Sequence, residues 1–115
     1  MADDCLFCKI AGGAIPSRKI FEDAETFAFQ DIAPAAPVHF LVIPKRHIPT
    51  LDDLADADGD LVGRLLLTAG RLAREAGLSE GGYRFVMNCR EGAGQSVFHI
   101  HLHVLGGRRM GWPPG

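Results

Sequence analysis

Three histidines, His99, His101 and His103, alternate with Ile100, Leu102 and Val104 in the run HIHLHVL. Strict alternation of this kind marks a β-strand, whose successive side chains point to opposite faces. All three imidazoles then share one face, while the apolar set is buried and fixes the strand in place. Imidazole is the side chain best matched to proton transfer, nucleophilic attack or metal binding near neutral pH. A single ion cannot take all three, because at ~3.3 Å per residue the outer two lie about 13 Å apart and zinc–nitrogen bonds are only ~2.0–2.1 Å. Two of them, spaced H-x-H, could still share an ion with help from elsewhere.

The segment just upstream suits an anion. Between a strand predicted at Tyr83 to Cys89 and the histidine strand lies Arg90-Glu91-Gly92-Ala93-Gly94-Gln95-Ser96. Gly92 and Gly94 allow a tight turn that presents backbone N–H groups to phosphate oxygens. Gln95 and Ser96 add side-chain donors. A plain hairpin loop has the same composition, and it is the position directly before the histidines that favours the phosphate reading.

These residues resemble the histidine-triad (HIT) family, whose signature is His-x-His-x-His followed by apolar residues. Gly94 to Met110, the ending Trp112-Pro113-Pro114-Gly115 and the stretch Asp31 to His47 are similar to the Hint branch, the histidine triad nucleotide-binding proteins. The resemblance runs from Phe7 to Gly115. Gly111 departs from the pattern, since some relatives carry a histidine there. The resemblance implies a purine nucleoside phosphoramidase in which His101 attacks phosphorus and forms a nucleotidyl-imidazole that water then hydrolyses. His103 would contact the phosphate, Ser96 would assist the leaving group, and His39 would back up His99. It also implies that Asp31 accepts the ribose hydroxyls and that Phe7, Ile10, Phe29, Ile32 and Leu41 surround the purine. Asn88 and the amides of Gly94, Gln95 and Ser96 would supply polar contacts.

Cys5-Leu6-Phe7-Cys8 is a C-x-x-C pair, and His47 and His99 are available to complete a Cys2His2 set. Many bacterial-type relatives have this pair and bind zinc, whereas others lack the cysteines and remain active. A structural Zn2+ is therefore expected, with no cofactor required for catalysis, and His99 becomes a ligand rather than a proton carrier. The competing readings are two ordinary buried thiols or a redox dithiol, which would want a βαβ context absent here.

The elements that must position these groups read as α+β. A short helix runs from Cys5 to Gly12, with strands at Lys19 to Glu22, Thr26 to Asp31 and Val38 to Pro44. One long helix spans Asp58 to Ala76, its stripe made of Leu61, Val62, Leu65, Leu66, Ala69, Leu72, Ala73 and Ala76. Asp58 or Asp56 can cap it and Gly77 ends it. Strands Tyr83 to Cys89 and Val97 to Leu105 complete a five-stranded, mainly antiparallel sheet. The resemblance makes this a HIT-like fold, paired across a two-fold axis into a homodimer with a ten-stranded sheet. In such dimers the tail, Arg108 to Gly115, reaches the partner's active site and brings Trp112 to its leaving-group pocket.

Composition fits one domain spanning all 115 residues, with 47% hydrophobic and 23% charged residues. A net charge of −2 speaks against a general nucleic-acid partner. No run approaches the ~20 apolar residues of a membrane span, and the acidic start Met1-Ala2-Asp3-Asp4 is unlike a signal peptide. Three cysteines with one C-x-x-C fit a reducing cytoplasm. Two readings compete with the phosphoramidase. One is dinucleoside polyphosphate hydrolysis of the fragile-histidine-triad type, whose relatives have a glutamine where Ser96 stands. The other is a non-catalytic nucleotide-binding or scaffold protein.

Overall fold

The computed structural model describes residues 4–115, so the first three residues of the acidic start lie outside it. Its elements are α1 (Leu6–Ala11), β1 (Lys19–Glu22), β2 (Thr26–Gln30), β3 (Val38–Pro44), α2 (Gly59–Glu75), β4 (Tyr83–Val86) and β5 (Leu102–Gly106). The strands form one sheet in the order β1-β2-β3-β5-β4, with every neighbouring pair antiparallel. This is the expected five-stranded α+β arrangement with one long and one short helix. No helix among the described residues is long and apolar enough to cross a membrane.

Strand alternation divides the core into two layers. Phe40 and Val42 of β3, with Leu102 and Val104 of β5, pack under Leu65, Ala69, Leu72 and Ala73 of α2. On the other face Leu41 and Ile43 meet Phe7 and Ile10 of α1 together with Phe27 and Phe29 of β2. Cys5 begins α1 by accepting the Cys8 backbone N–H on its sulfur. Gly77, at φ +78°, turns the chain out of α2 as expected.

Four local expectations need correction. The expected strand from Val97 enters the ladder only at Leu102, because the Ile100 N–H bonds the Ile48 carbonyl at 2.8 Å, outside the sheet. The alternation survives this, and Ile100, Leu102 and Val104 are all buried in the α2 layer. The strand from Tyr83 ends at Val86, opposite His103, instead of reaching Cys89. Leu66 is 43% exposed and Thr68 takes a buried place in the stripe; at 100° per residue, Leu66 follows Leu65 off the core-facing side. Asp58 precedes α2 without bonding its amides, since its carboxylate takes the Ala55 N–H and Arg46 and so caps the preceding turn.

Candidate active site

The α1 face of the sheet carries the chemistry. His103 stands on β5, His39 on β3, and His101 directly precedes β5. Hydrogen-bond partners assign the tautomers, since a ring nitrogen facing a carbonyl must donate and one facing an N–H must accept. His101 Nδ1 lies 2.8 Å from the His99 carbonyl and donates to it, which leaves the Nε2 lone pair free. Burial lowers the pKa of His101 from the ordinary histidine value, keeping that lone pair available. Phe7 packs in T-shaped geometry on the His101 ring, with centroids 5.0 Å apart, and on Phe29 at 5.4 Å.

A proton chain reaches His103 through His39. The Ala35 N–H donates to His39 Nδ1 at 3.0 Å, so the His39 proton sits on Nε2. That proton points at His103 Nδ1, 2.9 Å away, with Asp31 Oδ2 beside it at 3.4 Å. His103 Nδ1 accepts, and the His103 proton is therefore carried on Nε2. His39 thus backs up His103, not His99 as expected. Burial first, then the neighbouring His101 and His39, push His103 down to about 4, so it is a neutral donor at neutral pH. Asp31, His39 and His103 bring donor atoms within 4.8 Å of one another, as a metal set would. The hydrogen bonds argue otherwise, because an ion on His39 Nε2 would require both ring nitrogens to be deprotonated while the Ala35 amide holds Nδ1.

His99 is turned into a different cluster. Its Nε2 donates to the Pro44 carbonyl at 2.7 Å, aiming an unprotonated Nδ1 at Cys5 Sγ (3.4 Å), Cys8 Sγ (3.5 Å) and His47 Nδ1 (3.4 Å). His47 Nδ1 is 3.5 Å from Cys8 Sγ. A tetrahedral zinc with bonds of about 2.05 Å to nitrogen and 2.3 Å to sulfur sets its ligand atoms roughly 3.3–3.8 Å apart. The four side chains fit that set, and the Pro44 carbonyl is the outer-shell acceptor that such a histidine needs. Without an ion, burial and the neighbouring Cys5 push the Cys8 thiol up to about 11, unlike the thiolate a redox dithiol uses.

A cleft of about 250 Å3 opens beside His101 and His103. Phe7, Ile10, Phe29, Ile32 and Leu41 line it as expected, with Asp31 and Ser96 also at its wall. Ile32 is 98% exposed and stands at the rim. Leu6 and Val97 line it too and were missed from sequence. Helical spacing from Ile10 marks Leu6, and the two-residue period from His99 marks Val97.

The turn before the histidines differs from the expected phosphate nest. The Gly94 N–H bonds Glu91 O and the Gln95 N–H bonds Arg90 O, so both amides are engaged within the turn. Gln95 is buried, its Oε1 accepting the Arg90 N–H and its amide donating to Pro49 O and Val97 O. It builds the turn and offers no side-chain donor to the cleft. Asn88 does not line the cleft; its Nδ2 lies near Gly94, 3.9 Å from where a β-carbon would stand. Ser96 is the one member of this set at the cleft wall.

The HIT domain pattern matches residues 12–110. The chain belongs to the HIT domain family. Its HIT fold superposes with a TM-score of 0.96 on a HIT family hydrolase from Legionella pneumophila, 56% identical, over 97% of this chain and 100% of that one. A histidine triad nucleotide-binding protein from Candida albicans superposes at 0.82 with 36% identity, over 96% and 83% of the two chains. An uncharacterized HIT-like protein of Synechococcus elongatus is 47% identical across the full length of both chains.

Proposed function

We propose that this HIT protein is a hydrolase of the Hint branch that cleaves the P–N bond of purine nucleoside 5′-phosphoramidates. The observation that carries the reading is the free Nε2 of His101 at the wall of an apolar cleft, its other nitrogen tied to the His99 carbonyl. In the first step His101 Nε2 bonds to phosphorus and the P–N bond breaks, with the departing nitrogen taking a proton assisted by the Ser96 hydroxyl. Water then attacks phosphorus, the P–Nε2 bond breaks, and nucleoside monophosphate leaves with His101 regenerated. His103 donates its Nε2–H to the phosphoryl oxygens, and His39 acts on it as a positioning residue. Asp31 receives the ribose hydroxyls, and Phe7, Phe29 and Leu41 enclose the purine. The similarity to a HIT family hydrolase of Legionella pneumophila and to a histidine triad nucleotide-binding protein of Candida albicans supports this reading.

Among the described residues no lysine or arginine lines the cleft. A polyphosphate chain would meet no counter-charge there, and this favours a substrate with one phosphorus over a dinucleoside polyphosphate. Cys5, Cys8, His47 and His99 would hold a structural zinc; four protein ligands leave no open position, so the ion supplies a cross-link between α1, the end of β3 and the start of the histidine run. We further propose the homodimer. Leu67 is 69% exposed on α2 beside Leu66, and β4 is an edge strand, paired among the described residues with β5 alone. Adenosine phosphoramidate and diadenosine polyphosphate, offered to the wild type and to His101→Ala, test the function: preference for the first and its loss in the variant are expected. Equal rates for the two proteins would overturn it.

A further inference from the structure

Helix α1 belongs to two sites at once. Cys5 and Cys8 turn their sulfurs toward His47 and His99, while Phe7 and Ile10 line the nucleotide cleft and Phe7 packs on the His101 ring. The helix has only six residues. Helices this short are marginal in water, because the first turn costs more than its hydrogen bonds return. Whatever holds α1 to the sheet therefore decides whether the cleft has this wall. Among the described residues, the polar contacts of residues 5–15 that leave the segment all run through the two cysteine sulfurs. The backbone N–H groups of Gly12, Ala14 and Ile15 bond back to Cys8 and Lys9 within it. The other hold is apolar packing of Phe7 and Ile10 against β2 and β3, which has no directional preference of its own. The nucleophile, by contrast, is anchored without α1. His99 donates to the Pro44 carbonyl, the Ile100 N–H bonds the Ile48 carbonyl, and His101 donates to the His99 carbonyl.

We propose that the Cys5, Cys8, His47 and His99 cluster is a clamp on α1, through which zinc occupancy sets the affinity of the cleft for nucleotide. The inference rests on the nucleotide reading of the cleft and adds a control to that same site. Cys5 and Cys8 are positioning residues: they touch no substrate and hold the helix that does. With the set filled, ligands on α1, after β3 and before β5 share one centre, and Phe7 and Ile10 are fixed in the wall. With it empty, α1 is free to leave the sheet. The apparent Kd then rises in inverse proportion to the fraction of molecules in which the wall is formed. A wall present about one time in ten weakens binding roughly tenfold. Because His101 keeps its own anchors, kcat changes less than KM.

Adenosine 5′-monophosphate is the probe. Its Kd by calorimetry and the amide hydrogen exchange of α1 are compared in zinc-loaded wild type, in wild type stripped by a chelator, and in Cys8→Ser with and without added zinc. The loaded wild type should bind tightest. Stripping should raise Kd about tenfold and speed exchange in α1 while leaving β2, β3 and β5 protected. Added zinc should restore the stripped wild type and leave Cys8→Ser unchanged. Equal Kd with and without zinc, or a weaker Kd with α1 exchange unmoved, would overturn the clamp and leave the phosphoramidase reading intact. So would a wild type that takes up no zinc, or loss of protection across the whole sheet on stripping, since the control would then not be local to α1. Absence of nucleotide binding in the zinc-loaded wild type would overturn the clamp and the nucleotide reading together.

Discussion

His39 separates two jobs that one imidazole performs, and two amide substitutions can split them. An asparagine places its carbonyl oxygen near the position of Nδ1, and a glutamine places its NH2 near the position of Nε2. His39→Asn therefore keeps an acceptor for the Ala35 N–H, 3.0 Å away, and loses the donor to His103 Nδ1 at 2.9 Å. His39→Gln does the reverse. Without the donor, His103 is free to move its proton to Nδ1, and the Nε2–H offered to phosphate is lost. A hydrogen bond to a charged group is worth ~1.5–3 kcal/mol, so kcat/KM in His39→Asn should fall roughly ten- to hundredfold. In His39→Gln it should fall by only a few-fold, with a stability loss of about 0.5–1.5 kcal/mol because Ala35 is exposed and water replaces its partner. The assays are single-turnover hydrolysis and 15N chemical shifts of the His103 ring. Equal activity in the two variants, or a wild-type His103 protonated at Nδ1, would refute the proton chain.

Other predictions follow from the same geometry. The neutral form of His101 is the attacking form and burial lowers its pKa, so the acid limb of kcat/KM should lie below pH 6.5; a limb at or above 6.5 contradicts this. Stability carries a matching signature. His103 falls from 6.5 to about 4 on folding, so the unfolded chain binds the proton first; stability is complete above pH 6.5 and is lost as pH falls toward 4, which urea midpoints at pH 7 and pH 5 will show, equal midpoints counting against it. One zinc per chain is expected by elemental analysis, and Cys8→Ser should lose it and lower Tm by more than about 10 °C, since binding well above Kd adds ~4 kcal/mol. Gln95→Leu leaves the Arg90 N–H and the Pro49 and Val97 carbonyls without their partner, and should cost about 2–4 kcal/mol in urea unfolding; a change under ~0.5 would contradict its structural role.

The fold and the nucleophile were legible because they rest on local pattern. The alternation outlasts the ladder: Ile100, Leu102 and Val104 are all buried in the α2 layer although the chain bends at Val97 to His99 and joins the sheet only at Leu102. The Cys-x-x-Cys spacing likewise places both sulfurs at one end of α1. What could not be read depends on contacts distant in sequence. His39 pairs with His103 because β3 and β5 are neighbours, with Leu41 opposite His103. Composition marks Gln95 as a donor to ligand, whereas three backbone groups from the turn, Pro49 and Val97 take it inward. Leu66 joins the apolar pattern of α2 but lies outside the arc the sheet covers.

The central claim is that His101 Nε2 bonds to phosphorus. Rapid quenching of wild-type protein with a slow adenosine phosphoramidate, followed by peptide mass spectrometry under alkaline conditions that preserve phosphoramidate bonds, tests it most directly. Adenylate is predicted on the peptide at His101 and is absent in His101→Ala. Adenylate on a different side chain, or turnover of the substrate with no adduct in the wild type, would contradict the account.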